Sequence, residues 1–145
     1  MRNDTSNSEA VGLFLRLFGN HPAHCAILDL DANILVVNRA WNQFGESNGL
    51  AEGYSFRQQN YLTVCERAVS EGSPYADHAL AGLLAIINAG QGSFAMNYPC
   101  HSPYEQRWFT LWAQSQWPAS PSIVVAHTYI GKKVPTQKQV GLVAN

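Results

Sequence analysis

The chain has 145 residues, the size of one domain that folds around a single hydrophobic core. Its net charge is −1 and only 13% of its residues are charged, which argues against a nucleic-acid-binding module with a basic stripe. No segment approaches the roughly 18 consecutive apolar residues of a membrane span, and the polar N-terminus does not resemble a secretory signal. The three cysteines are not closely paired, which indicates reduced thiols and predicts a cytoplasmic protein.

The N-terminal part is predicted to contain a polar, disordered stretch at 1–8 and an amphipathic helix at 9–20. Ser8 is the predicted N-cap, and Gly19 is the predicted stop. Four apolar residues share one face of this helix at helical spacing: Val11, Phe14, Leu15 and Phe18. Leu13 and Leu17 widen that face, so we expect the helix to be covered on more than one side.

A hairpin and three helical segments follow. Two short apolar runs, at 23–30 and 34–38, flank the turn residues Asp31-Ala32-Asn33 and predict two strands. Trp41 and Phe44 lie on a short helical turn, predicted at 39–46. Two longer helices are predicted at 60–70 and 76–89, and Gly90 ends the second.

The last third predicts three strands, at 93–98, 106–116 and 122–130. The long middle strand is apolar on both faces, so both must be covered. We expect the central helices to cover one face and the N-terminal helix the other. Residues 131–145 are predicted as a polar tail or linker. The order of elements indicates an α+β domain with an antiparallel sheet.

Five segments resemble the PAS domains of bacterial signal-transduction proteins, over about residues 21–130. They are AILDLDANILVVNRAW from Ala26, NYLTVCERA from Asn60, LAGLLAIINAG from Leu80, YPCHSP from Tyr98 and RWF from Arg107. The resemblance implies a PAS fold with a five-stranded antiparallel sheet, helices on one face and an N-terminal amphipathic helix. The predicted PAS domain is 21–130.

The resemblance also implies a function. PAS domains of this kind are non-catalytic sensory and dimerisation modules, so we expect a homodimer that serves an effector kinase, cyclase or regulator domain. No membrane or nucleic-acid partner is expected. A small apolar or aromatic ligand would occupy a central pocket, for which the candidates are Ile27, Leu35, Val37, Phe44, Tyr61, Leu80, Leu84, Ile87, Tyr98, Phe109, Leu111, Val125 and His127. The dimer-interface candidates are Val11, Phe14, Leu15, Phe18, Trp108 and Trp112.

Other interpretations remain open at this stage. No cofactor is predicted, and a haem- or flavin-binding sensor and a ligand-free protein-interaction domain are the alternatives. His78 is the candidate that a haem would need, but it lies off the apolar stripe of its helix. The segment at 53–60 departs from the flavin motif because it lacks a cysteine. No metal site is predicted at Cys100-His101, because two neighbouring ligands are too few for zinc. Arg107 is expected to pair with Glu105, Asp29 or Asp31.

Overall fold

The computed structural model describes residues 4–49, 55–56, 59–116, 120–132 and 142–143. Four helices are present in these ranges: α1 (Asp4–Phe18), α2 (Arg39–Ser47), α3 (Tyr61–Ser70) and α4 (Ala76–Ala89). The strands are β1 (His24–Asp29), β2 (Ile34–Val37), β3 (Ser93–Pro99), β4 (Trp108–Ser115), β5 (Ser122–Gly131) and β6 (Leu142–Val143). None of the helices described is long and apolar enough to cross a bilayer.

The strands form one antiparallel sheet in the order β2-β1-β5-β4-β3-β6. The first and last of the five main strands lie side by side at its centre, and the three helices between β2 and β3 cross one face. The predicted α+β fold with five antiparallel strands is therefore confirmed. The two-residue strand β6 adds a sixth at the edge, opposite Ser93 and Phe94.

The two faces of the sheet bury separate sets of apolar side chains. On the inner face, Leu28, Leu111 and Val125 pack beneath α3 and α4. On the outer face, Phe14 of α1 packs on Ile27 and Val124. The prediction that α1 covers the second face is confirmed. The predicted N-cap at Ser8 is wrong, because α1 begins at Asp4, whereas the helix does end directly before Gly19.

Helix α4 lies close to the sheet because glycine stands at the contact. A Cβ atom at Gly82 would lie 2.8 Å from the ring of Phe94, which is too close for an ordinary side chain. The helix ends at Gly90, where φ is +76°, a left-handed conformation that glycine adopts without steric cost. These two glycines fix where α4 rests on β3 and where it stops.

Asn38 joins three elements from a position that is only 1% exposed. Its Oδ1 atom accepts from the backbone N–H groups of Cys25 and Trp41, both at 3.0 Å. Its Nδ2 group donates to the carbonyl oxygens of Phe18, His21 and Ala23. The Asn38 side chain thus caps the N-terminus of α2 and donates to carbonyls between the end of α1 and the start of β1.

Candidate functional site

Two chambers lie between the inner face of the sheet and helices α2 to α4. The first chamber has a volume of about 410 Å³ and is lined mainly by aromatic and apolar residues: His24, Trp41, Phe44, Gly45, Asn48, Phe56, Tyr61, Val64, Tyr98 and His127. The second chamber has a volume of about 350 Å³ and extends toward Cys65, Tyr75, Met96 and Cys100. Tyr61, Val64, Tyr98 and His127 line both, so they form the partition between them.

Three of the partition residues are joined by hydrogen bonds, and we call them the Tyr–His–Tyr trio. The hydroxyl oxygen of Tyr61 lies 2.9 Å from Nε2 of His127, and that of Tyr98 lies 2.6 Å from Nδ1. The imidazole is thus bridged at both nitrogens. The trio places three groups able to donate or accept hydrogen bonds in an otherwise aromatic and apolar lining.

The position of Tyr61 is set by the turn between β1 and β2. Asn60 caps α3 by accepting from the backbone N–H of Thr63, and its amide donates to the Asp31 carbonyl at 2.8 Å and to Asn33 Oδ1 at 3.0 Å. The backbone N–H of Tyr61 donates to the carbonyl of Ala32. The first residue of α3 is therefore held against the sheet, so its hydroxyl meets a side chain of β5.

The trio is electrically neutral near pH 7. Burial, and to a smaller extent the nearby His24, lowers the pKa of His127 to about 3. Burial also raises the pKa of Tyr61 and of Tyr98 well above the ordinary value of a phenol. The Cys65 thiol at the second chamber stays protonated, because burial raises its pKa to about 11.

Aromatic side chains surround the trio on the side of the first chamber. The Trp41 ring meets His127 edge-on, with centroids 5.4 Å apart, and it also meets Phe56 at 6.1 Å. The Arg107 guanidinium lies 5.2 Å from the centroid of the Phe44 ring. Aromatic faces therefore supply most of the surface that a bound molecule would touch.

Arg107 does not make the predicted contact with a carboxylate. Its Nε group donates to the Cys100 carbonyl at 2.8 Å and its Nη2 group to Asn48 Oδ1 at 3.1 Å. Glu105 instead lies 3.9 Å from Lys132. Within the described part of the chain, Arg107 has no carboxylate partner. Its charge lowers the pKa of His24, after the larger effect of burial.

The predicted pocket residues fall into four groups. Five line a chamber: Phe44, Tyr61, Tyr98, Leu111 and His127. Five others lie elsewhere in the inner core or on α4: Val37, Leu80, Leu84, Ile87 and Val125. Phe109 is buried, and its ring stacks on the ring of Tyr98, with the two centroids 5.8 Å apart. The inward placement of Ile27 and Leu35 is wrong, since both pack on the outer face against the α1 cluster.

The dimer-interface candidates are mostly buried within the monomer. Phe14, Val11, Phe18 and Trp112 belong to the outer core, and Trp108 is 7% exposed. Of the six, Leu15 alone is strongly exposed, at 44%. Its neighbours Leu13 and Leu17 are exposed by 51% and 62%. The apolar surface of α1 is therefore carried by three leucines, because the other face of the helix already covers the sheet.

Trp41, Phe56, Val64 and His24 also line the chambers, although they were not predicted as pocket residues. For His24 a usable pattern existed, because it lies two residues before Ala26 and so shares the inner face of β1. Trp41 and Phe56 lie on α2 and in a loop, where no alternation shows which way a ring points. The contact of Trp41 with His127, and of Phe56 with Trp41, depends on the packing of these segments on the sheet.

No clear cofactor site emerges from the residues that the structure covers. Among them, no three His, Cys, Asp or Glu side chains lie close enough to share a metal ion. His78 is exposed, and its ring lies 6.3 Å from that of Tyr75. His101 Nδ1 accepts from the backbone N–H of Arg107, which serves the turn. Half of the segment compared with the flavin motif, residues 53, 54, 57 and 58, lies outside the described residues.

Comparison with known proteins gives one sequence relative. No family model matches the chain. A Rhodobacter capsulatus protein, named as an uncharacterized 104.1 kDa protein in the hypE 3′ region, is 35% identical over 131 residues. That alignment covers 88% of this chain and only 14% of the larger protein. The chain therefore matches one short part of its relative.

Solved structures match over most of the chain. The PAS domain of Bordetella pertussis BvgS superposes with a TM-score of 0.59 at 14% identity, covering 86% of this chain and 89% of that domain. The photoactive yellow protein domain of the sensor histidine kinase Ppr from Rhodospirillum centenum superposes with a TM-score of 0.55 at 12% identity. That match covers 83% of this chain and 97% of that domain. The chain thus has the fold of the PAS domains of bacterial sensor proteins, as its resemblance to them predicted.

Proposed function

We propose that the chain is a non-catalytic sensory module that binds a small organic molecule in the two chambers. The observation that carries this proposal is a hydrogen-bonded trio between a mainly aromatic chamber and a mainly aliphatic one. Each chamber falls within the ~300–1,000 Å³ typical of small-molecule sites, and such sites combine apolar walls with a few fixed polar groups. A ligand recognised there would alter the packing of α2 and α3 on the sheet.

The chemistry of the trio favours binding over catalysis. A His127 with a pKa of about 3 is a poor general base near pH 7. Cys65 at the second chamber is a protonated thiol and therefore a weak nucleophile. Neither group is activated for reaction, so the site is better suited to hold a molecule than to transform it.

Native mass spectrometry of freshly purified protein tests this function. We expect a fraction of the protein to carry a small molecule that denaturation releases. Replacing Val64, which lines both chambers, by phenylalanine should reduce that fraction at least about tenfold, because the larger side chain fills the space. Val69→Phe is the matched control, since Val69 lies on the same helix and lines neither chamber.

The other outcomes separate the alternatives. A clean apo mass, together with no binding of added aromatic compounds, would refute the ligand proposal and favour a protein-interaction domain. A coloured preparation with the mass of haem or flavin would favour a cofactor-dependent sensor instead. Equal retention by the Val64→Phe and Val69→Phe variants would contradict the assignment of the site.

We also propose that the domain works as a homodimer through α1. The exposed leucines at positions 13 and 17 lie about one turn apart and form an apolar patch on a chain with only 13% charged residues, whereas Leu15 lies on the other flank of the helix. A second copy presents the same patch, so an isologous contact would cover both. The attached effector and the cytoplasmic location stay predictions.

The double substitution Leu13→Lys and Leu17→Lys tests the dimer. We expect it to convert a dimer into a folded monomer, because it places like charges across a two-fold contact. Light scattering coupled to size exclusion measures the mass, and circular dichroism confirms the fold. Val69→Lys, which adds a charge at an exposed apolar position on α3, should leave the dimer intact. A wild-type monomer, or a double variant that stays dimeric, would contradict this interface.

A further inference from the structure

The hydrogens of the Tyr–His–Tyr trio can be counted. At neutral pH the two phenols and the neutral imidazole carry three polar hydrogens, two on oxygen and one on nitrogen. The two hydrogen bonds to His127 use two of them, one donated by a tyrosine and one by the ring. The third hydrogen belongs to the tyrosine that accepts from the ring, and neither bond uses it.

The two distances indicate which tyrosine that is. The contact from Tyr98 to Nδ1 is 2.6 Å, which fits an O–H donor and is short for an N–H donor. The contact from Tyr61 to Nε2 is 2.9 Å, the usual length of an N–H···O bond. The two distances favour the tautomer in which Tyr98 donates to Nδ1 and Nε2–H donates to Tyr61. The unused hydrogen is on the Tyr61 hydroxyl.

In its contact with His127 that hydroxyl accepts, and it has no acceptor of its own among the residues described. Tyr61 is 8% exposed and lines both chambers. A buried donor without an acceptor is unfavourable, and a bound molecule with an acceptor in either chamber would supply the missing partner.

We propose that the ligand is a flat, neutral molecule whose ring nitrogen or carbonyl oxygen accepts a hydrogen bond from the Tyr61 hydroxyl. This inference rests on the proposed function and specifies the chemistry of its ligand. The flat shape follows from the rings of Trp41 and Phe56 beside Tyr61. Neutrality follows because an anion in this partition would meet uncharged groups and lose its hydration. Arg107 lies beyond the Phe44 ring, and its Nε and Nη2 groups already donate to Cys100 and Asn48.

Three bicyclic probes of similar size test the proposal. Isoquinoline has a ring nitrogen that accepts, naphthalene has no polar atom, and indole has an N–H that donates. We expect isoquinoline to bind about fivefold more tightly than naphthalene or indole, the value of one net hydrogen bond. Dissociation constants come from titrations of the wild-type protein, followed in NMR spectra by the side-chain N–H signals of its tryptophans.

The Tyr61→Phe variant should remove the preference for isoquinoline over naphthalene and leave the affinity for naphthalene almost unchanged. In this variant the Nε2 hydrogen of His127 loses its acceptor. It lies behind the position of the lost Tyr61 hydroxyl, so we expect it to be a poor donor to the probe. Tyr75→Phe is the control, because Tyr75 lines the second chamber but lies outside the trio. It should keep the preference of the wild type.

A second measurement needs no variant. The ¹⁵N chemical shifts of the His127 ring report which nitrogen is protonated, and we expect the hydrogen on Nε2. A hydrogen on Nδ1 would overturn the assignment to Tyr61. Equal affinity for isoquinoline and naphthalene, or tighter binding of indole, would overturn the proposed ligand chemistry while the chambers remain a binding site. If none of the probes binds, this inference fails, and the proposed function fails with it only if the freshly purified protein also carries no small molecule.

Discussion

Replacing Asn38 by alanine should lower the free energy of unfolding by about 4 kcal/mol, because the substitution removes five hydrogen bonds to buried or half-buried backbone groups. The groups that lose a partner are the N–H groups of Cys25 and Trp41 and the carbonyls of Phe18, His21 and Ala23. Loss of the N-cap of α2 alone accounts for about 1 kcal/mol. Urea denaturation followed by circular dichroism measures the change.

Two further variants make the result specific. Asn38→Asp keeps the shape of the side chain but replaces its NH₂ donor with a charged oxygen that faces three carbonyls. At pH 7 it should therefore destabilise the protein at least as much as alanine does. Asn88→Ala, at an exposed position of α4, should change stability by less than about 0.5 kcal/mol. A loss below about 1 kcal/mol for Asn38→Ala would contradict the role of Asn38 in joining α1, β1 and α2.

Much of the fold could be predicted because the ends of several helices and strands are marked by particular residues in the sequence. The predicted range of α4 matches the observed one, since its apolar stripe stops at Gly90. The predicted starts of β3 and β5 also agree with the structure. The start of α1 could not be predicted in this way, because the polar residues before Ser8 carry no apolar repeat although the helix includes them.

The direction in which strand residues point was harder to predict. Alternation places residues on two faces, but it shows which face is inner only when one face is polar. Here both faces of β1 and β2 are apolar, because α1 covers the outer one. Ile27 and Leu35 were therefore predicted inward and pack outward. The same double coverage explains why Phe14 and Trp112 look like interface residues although Phe14 is buried and Trp112 half-buried in the monomer.

Central residues of the candidate site could be predicted from the sequence, but their hydrogen bonds to one another could not. Tyr61, Tyr98 and His127 were all predicted pocket residues, and all three line both chambers. Their hydrogen bonds join positions 66 and 29 residues apart in the chain, and no local pattern reports such contacts. The division of the cavity into two chambers follows from those long-range bonds.

The wild-type protein should lose stability in mild acid because His127 is buried as a neutral base. Its pKa is 6.5 when unperturbed and about 3 in the folded protein. Below pH 6.5 the unfolded chain takes up a proton that the folded chain does not, so stability present at pH 7 is lost progressively as the pH falls toward 3. Between pH 7 and pH 4, this one group removes about 3 kcal/mol of unfolding free energy.

The comparison with His127→Gln isolates this contribution. Glutamine does not titrate, so the free energy of unfolding of this variant should fall about 3 kcal/mol less than that of the wild type over the same pH range. All other titratable groups are present in both proteins, so their effects largely cancel in the difference. The interaction with His24, the smaller cause of the lowered pKa of His127, is part of what the comparison measures. Parallel pH curves for His127→Gln and the wild type would show that His127 takes up its proton at about the same pH in the folded protein as in the unfolded chain, and its neutrality in mild acid would have to be abandoned.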